Sequence, residues 1–140
     1  MPEARKLVDV EALLVAYLAT DGPLGALVDD AIGTELPRAF PSTGAPRVQA
    51  FRASGTTVDP ATGHLDRALV QVNAYGSSKA EAWDVFAETY RALLAARAAE
   101  HEGAVVTDVE RVSGPTWSPD PQTDAPRYVG SFAVTVHPAP

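Results

Sequence analysis

No cysteine occurs anywhere in the 140 residues. That excludes both a disulfide framework and a thiolate metal site, and it leaves the redox compartment open. Bases are scarce as well: 11 Lys and Arg stand against 18 Asp and Glu, a formal charge of −7. The basic stripe with interleaved aromatics that marks a nucleic-acid-binding domain is absent, so tight nucleic-acid binding is not expected. No apolar run approaches the roughly 20 residues needed to span a bilayer. The opening MPEARKLVDVEALL carries acids within its apolar run and has no small-residue cleavage site, so it does not read as a signal peptide. The expectation is a soluble intracellular protein. Its length suits one domain, 1–140, able to bury a sizeable core without staples.

Catalytic signatures are missing too. His64, His101 and His137 lie far apart with no HxxxH or HExxH pairing, so no metal site is expected. There is no G-x-S-x-G elbow, no phosphate-binding loop and no G-x-G-x-x-G turn. Asp59 and Asp120 each precede a proline, which the turn-forming habit of Asp-Pro explains without chemistry. Asp29-Asp30 reads as a solvated helix end. The sequence therefore predicts no enzyme and no cofactor.

The charge that is present is unevenly placed. Residues 9–35 hold six acids and no base, residues 36–58 hold Arg38, Arg47 and Arg52 and no acid, and residues 100–126 hold six acids and only Arg111.

Apolar spacing gives the elements. Asp9 is a candidate N-cap for a helix of about ten residues whose stripe is Val10, Leu13, Leu14, Tyr17 and Leu18. Asp21-Gly22-Pro23 ends it, a second short helical turn follows, and Ile32–Leu36 suits a short strand. Arg47–Ser54 and Leu65–Tyr75 read as two strands joined by an extended hairpin loop, 55–64. In the second strand Ala68, Val70, Val72 and Ala74 share one face, the mark of a half-buried, antiparallel sheet.

A capping box, Ser78 with Glu81, opens the main helix. Trp83, Phe86, Tyr90, Leu93 and Leu94 form its expected buried stripe, contributing on the order of 10 kcal/mol as an upper bound. Ala95–Ala99 extends it. Val105–Ser113 follows as a strand with poor alternation, then a proline-rich loop, 114–126, and a final strand with Tyr128, Phe132, Val134 and Val136 on one face. The fold class expected is α+β: a mainly antiparallel sheet of four to five strands, with one long and one or two short helices on one face. Trp117 has two readings, a cap folded back on the sheet or a rigid aromatic anchor in an interface.

Taken in order, these segments resemble the tail-terminator (tail-completion) proteins of long-tailed bacteriophages. The resemblance covers nearly the whole chain. Asp9–Leu18 is similar to the family's opening helix, and Ile32–Pro37 to the short strand after it. Gln71–Gly76 with Ala80–Trp83 and Arg91–Leu94 is similar to its central strand and helix. Gly114–Pro121, Pro126–Tyr128 and Val134–Pro138 resemble its closing loop and strand.

The resemblance implies a structural virion protein, present in the host cytoplasm during assembly and then in the tail or neck. It implies a ring, expected to be hexameric, that caps the tail tube, ends its polymerisation and offers a surface for head–tail joining. The implied partners are other copies of itself, the major tail-tube protein and the head–tail connector, with DNA passing through unbound and no membrane. No catalytic residue is implied. The alternatives are another neck or connector component, or a small-molecule-binding α+β domain.

A closed ring needs two different patches meeting at each joint. Arg47 or Arg52 facing acids of a neighbour would supply one, and Asp59, His64, Arg67, Trp117, Asp120 and Arg127 complete the candidate interface. The hairpin loop 55–64 and the Trp117 loop are the expected axial contacts.

Overall fold

Asp9 sets where the first helix among the described residues begins. In a computed structural model that describes residues 8–37, 46–57, 65–101 and 103–138, its carboxylate accepts the N–H of Ala12 at 3.0 Å, and helix α1 runs Val10–Ala19. Asp21 repeats the device one turn later, accepting from Leu24 N–H at 2.9 Å to open α2, Gly22–Val28, with a proline in its first turn. The two helices meet at 88°. The main helix α3, Lys79–Leu94, starts on the expected capping box. Ser78 Oγ accepts from Glu81 N–H, and the Glu81 carboxylate reaches back to the Ser77 N–H at 2.7 Å.

Among the described residues, six strands form one sheet in the order β1-β2-β3-β6-β5-β4. Here β1 is Ile32–Gly33, β2 Arg47–Thr57, β3 Asp66–Tyr75, β4 Glu100–His101, β5 Ala104–Trp117 and β6 Arg127–Pro138. Only β1 pairs in parallel, with β2; every other pairing is antiparallel. The fold is thus the expected α+β class, with β4 as a two-residue addition. The core lies between the helices and one sheet face, where Ala68, Val70, Val72 and Ala74 of β3 and Phe132, Val134 and Val136 of β6 are buried with Leu13, Leu14, Phe86 and Leu93.

Three sequence expectations need correction. Trp83 is not core but 48 % exposed, whereas Tyr17 and Tyr90 are partly buried against the core. The face α3 buries is Ala82, Val85, Phe86, Thr89, Ala92 and Leu93. At 100° per residue this is rotated by roughly a quarter turn from the stripe of large side chains. Small residues let the helix axis approach the sheet, so Phe86 stays on the buried face while Trp83 and Tyr90 move toward its flank.

Secondly, α3 stops at Leu94. The Ala98 N–H donates to Val106 O at 2.7 Å and the Val106 N–H to Ala99 O at 2.9 Å, so β5 captures backbone groups that the alanine run would have used to extend the helix. Thirdly, β5 continues to Trp117, so Gly114–Trp117 is strand and the loop shrinks to 118–126. Three register shifts, between Val106 and Asp108, Arg111 and Ser113, and Ser113 and Thr116, account for its poor alternation.

Glycines 76 and 130 are places where backbone and partner come too close for a side chain. A Cβ on Gly130 would lie 2.5 Å from the Phe86 ring, and one on Gly76 would lie 2.5 Å from the Ala82 nitrogen.

Side chains tie the helices together. Tyr17 Oη donates to Ala92 O at 2.9 Å, and Arg91 bridges Glu88 at 2.8 Å and Asp21 at 2.6 Å. Burial alone would raise the Asp21 carboxyl, but the Arg91 hydrogen bond, the Leu24 N–H and the Arg91 charge together hold it below its ordinary value. A carboxyl with a lowered folded pKa binds fewer protons than in the unfolded chain. Its stabilisation is present above about pH 4 and is lost as the pH falls through the folded value.

Asp21→Ala, which removes cap and charge, should cost about 0.5–2 kcal/mol. Asp21→Asn keeps a capping oxygen and should chiefly flatten the acid limb. Urea unfolding followed from neutral to acidic pH checks both, and an unchanged acid limb in Asp21→Asn would remove Asp21 from the acid response.

Candidate assembly surface

Trp83 and Trp117 are held by one buried tyrosine. Tyr128 lies in register with Trp117 on the neighbouring strand. The two tryptophan rings pack on its ring from different elements, each with centroids 5.2 Å apart. Both indoles therefore stand on a fixed base while remaining 48 % and 39 % exposed. Lys79 Nζ lies 4.8 Å from the Trp117 ring centre, and the Arg111 guanidinium 5.5 Å from that of Tyr90. Among the described residues, neither cation has an acidic partner within salt-bridge distance. Between them lies a groove of about 210 Å³ lined by Trp83, Phe86, Ala87, Tyr90, Arg111 and Pro115.

The surface follows the outer edge of the sheet. β4 pairs with only Val105 and Ala104 of β5, and Arg97 covers a little more by donating to Val109 O at 2.7 Å. From Glu110 to Trp117, β5 is paired on its β6 side alone among the described residues. Val112, 52 % exposed, belongs to the same stretch. Among the described residues, Trp83 and Trp117 are the exposed large hydrophobics of this surface, and Leu27 lies elsewhere. Val112 instead lines a groove with Ser54, Arg67, Leu69 and Ala133 on the face of the sheet away from the helices.

A second open groove, about 530 Å³, lies at the opposite sheet edge, between α1 and β1. It is lined by Ala12, Val15, Ala16 and Ala19 of α1, by Gly33 and Thr34, and by Asp9 and Glu11. Here α1 is apolar on the side away from the core as well as on the side toward it, a pattern usually seen in a helix covered all round.

The candidate residues named from the sequence fall into several situations. Arg52 is used inside the subunit. Its guanidinium makes two hydrogen bonds to the buried Asp66, at 2.6 and 2.8 Å, and its backbone N–H donates to Glu11 at 2.8 Å. The Asp66 hydrogen bonds raise the arginine's pKa still further. A joint with a neighbour is therefore not needed to account for Arg52.

Asp120 and Arg127 fix the loop 118–126. The Asp120 carboxylate accepts from the N–H groups of Gln122 and Thr123, and Arg127 donates to Ser118 O at 2.7 Å. Tyr75 is buried beside them under Ala125 and Leu36. Burial pushes its phenol pKa up, and neighbouring Arg127 acts the other way. Arg67 is exposed and pairs with Glu110 at 3.3 Å across β6, while Arg47 opens β2 opposite Tyr75. Arg38, Asp59 and His64, with most of the loop 55–64, lie outside the described residues.

Of the candidates among the described residues, only Trp117 belongs to the aromatic surface. Lys79, Arg111, Pro115 and an outward-facing Trp83 are placed there by the structure. The usable sequence signal was Trp117 two residues beyond Pro115, on a strand whose alternation fails. The signal for the second groove was a first helix with a single charged residue, Glu11, in Val10–Ala19. Among the described residues no three His, Asp or Glu side chains gather as a metal cluster. No helix there is by itself long and apolar enough to cross a membrane.

These features define the class first: a small α+β fold with helices on one sheet face and apolar surface at two opposite sheet edges. Compared with known proteins, the chain matches no family profile and no curated protein sequence. It does share its fold with a chain in the solved structure of the virion of a native gene transfer agent (GTA) particle. The two are 16 % identical, the TM-score is 0.69, and the match covers 91 % of this chain and 94 % of that one.

Proposed function

We propose that this chain is a structural protein of a phage-like virion, acting as the ring that caps the tail tube. What carries the proposal is the likeness in fold to a chain of the GTA virion particle, which runs through nearly the full length of both. The order of sequence segments resembling tail terminators supports the finer role. So do two apolar surfaces at opposite edges of one sheet, which suit the head-to-tail contacts of a closed ring. The ring is taken to contain six copies, to bind the last ring of tail-tube protein with one face and to meet the head–tail connector with the other. DNA passes through its centre without being bound, and no reaction is catalysed. The hairpin 55–64 is the segment proposed to reach the tube.

Particles assembled without this chain should carry overlong, headless tails when viewed by negative-stain electron microscopy. Tails of normal length that merely lack heads would assign the chain to another tier of the neck. Intact, headed particles would remove it from the assembly altogether.

A further inference from the structure

Taking the chain to form a ring, as proposed above, we infer that the joint between neighbours seats the Trp83–Trp117 surface of one copy in the α1–β1 groove of the next.

Three observations carry this. The first is position. The two surfaces lie on opposite sides of the sheet order, β1 at one end and β5 near the other, so one copy can use both at once. That is the requirement for a heterologous contact, and a two-fold contact does not share it.

Shape is the second. The two indoles are 48 % and 39 % exposed on rings packed against Tyr128, and the α1–β1 groove is an open apolar surface lined by three alanines and one valine. Rigid tryptophans entering a shallow apolar pocket are the commonest energetic centres of protein interfaces.

Charge is the third. Lys79 and Arg111 flank the aromatic surface, held over rings with no acidic partner within reach among the described residues. The groove is lined by Asp9 and Glu11, whose carboxylates also accept from the Ala12 and Arg52 N–H groups but keep their negative charge, in a segment, 9–35, with six acids and no base. Like surfaces therefore repel and unlike surfaces attract, which favours head-to-tail docking over pairing of two identical faces.

The absence of cysteine makes the joint directly testable. Ala16→Cys marks the groove and Ala87→Cys marks the aromatic surface. With a short bis-maleimide, a mixture of the two single variants should give the mixed dimer in at least tenfold excess over either homodimer. The double variant should give a ladder of rising copy number. Adding Lys79→Glu and Arg111→Glu, both at exposed positions, should reduce the mixed product about tenfold with the circular dichroism spectrum unchanged. Raising the salt concentration should act in the same direction.

Homodimers in equal or greater yield overturn the joint, as does the absence of a ladder both in solution and on tail tubes. Rings seen by native mass spectrometry without the ladder would overturn the joint and leave ring formation standing. A ladder from a chain whose loss leaves tails at normal length would keep the joint and remove the capping role.

Discussion

Phe132→Ala should remove about 3–5 kcal/mol of stability, a large share of the 5–15 kcal/mol that holds a domain of this size together. Phe132 is fully buried at the centre of β6. Its ring stacks on Phe86 with centroids 6.3 Å apart and meets Tyr90 at 5.9 Å. Removing it opens a cavity that the sheet cannot collapse into, because backbone hydrogen bonds to β3 on one side and β5 on the other fix the strand. It also deprives two aromatic partners of contacts worth about 0.5–1.5 kcal/mol each. The urea midpoint should fall by about 2 M with little change in slope. A loss below about 1 kcal/mol would mean that the core is not centred where the structure puts it.

Arg52→Glu is the second large effect expected, and it separates two accounts of the same residue. Inside the subunit, Arg52 neutralises Asp66, whose side chain is only 8 % exposed, and Glu11 lies against the Arg52 backbone. Reversal would gather three carboxylates in one half-buried place. The cost should be about 2–5 kcal/mol, the lower part of the range reflecting the 30 % exposure of the arginine itself. Arg52→Met, which keeps much of the side-chain stem but leaves Asp66 unpaired, should lie between the wild type and the reversal. If Arg52 worked instead at a ring joint, the isolated subunit would keep its urea midpoint and only assembly would suffer. The measurement is the midpoint of each variant as a subunit, before any assembly is attempted.

Much of the architecture was legible in the sequence because local chemistry fixes it. Asp9 and Ser78 have one plausible use each before an apolar helix, and the alternation of β3 and β6 leaves little choice of which face is buried. The errors share a cause: side-chain size was weighted above the distance between layers. Trp83 looked like core because it is large and lies at helical spacing, but the sheet receives α3 through Ala82, Thr89 and Ala92. The extent of β5 was hidden because a bulged strand loses the period-two signal by which strands are recognised.

The assembly surface was harder to read, since it joins residues distant in sequence. Lys79, Trp83, Arg111 and Trp117 come from two elements and meet only because Tyr128 stands between the indoles. Arg52 carries the converse lesson. One of three arginines in an acid-free segment, it looks available until the fold brings Asp66 across from the next strand.

The outer edge of β5 has a further consequence. A strand with a free side is a template on which another chain can hydrogen-bond, and repetition of that event leads to fibrils. Between Glu110 and Trp117 the template is spoiled. Pro115 has no N–H to offer, and two of the three register shifts fall within this stretch, so donors and acceptors do not line up over any useful length. Sheet extension has no natural end point, and an edge whose donors and acceptors fall out of line gives it no place to start. The irregular edge thus lets copies of this chain be concentrated without seeding fibrils.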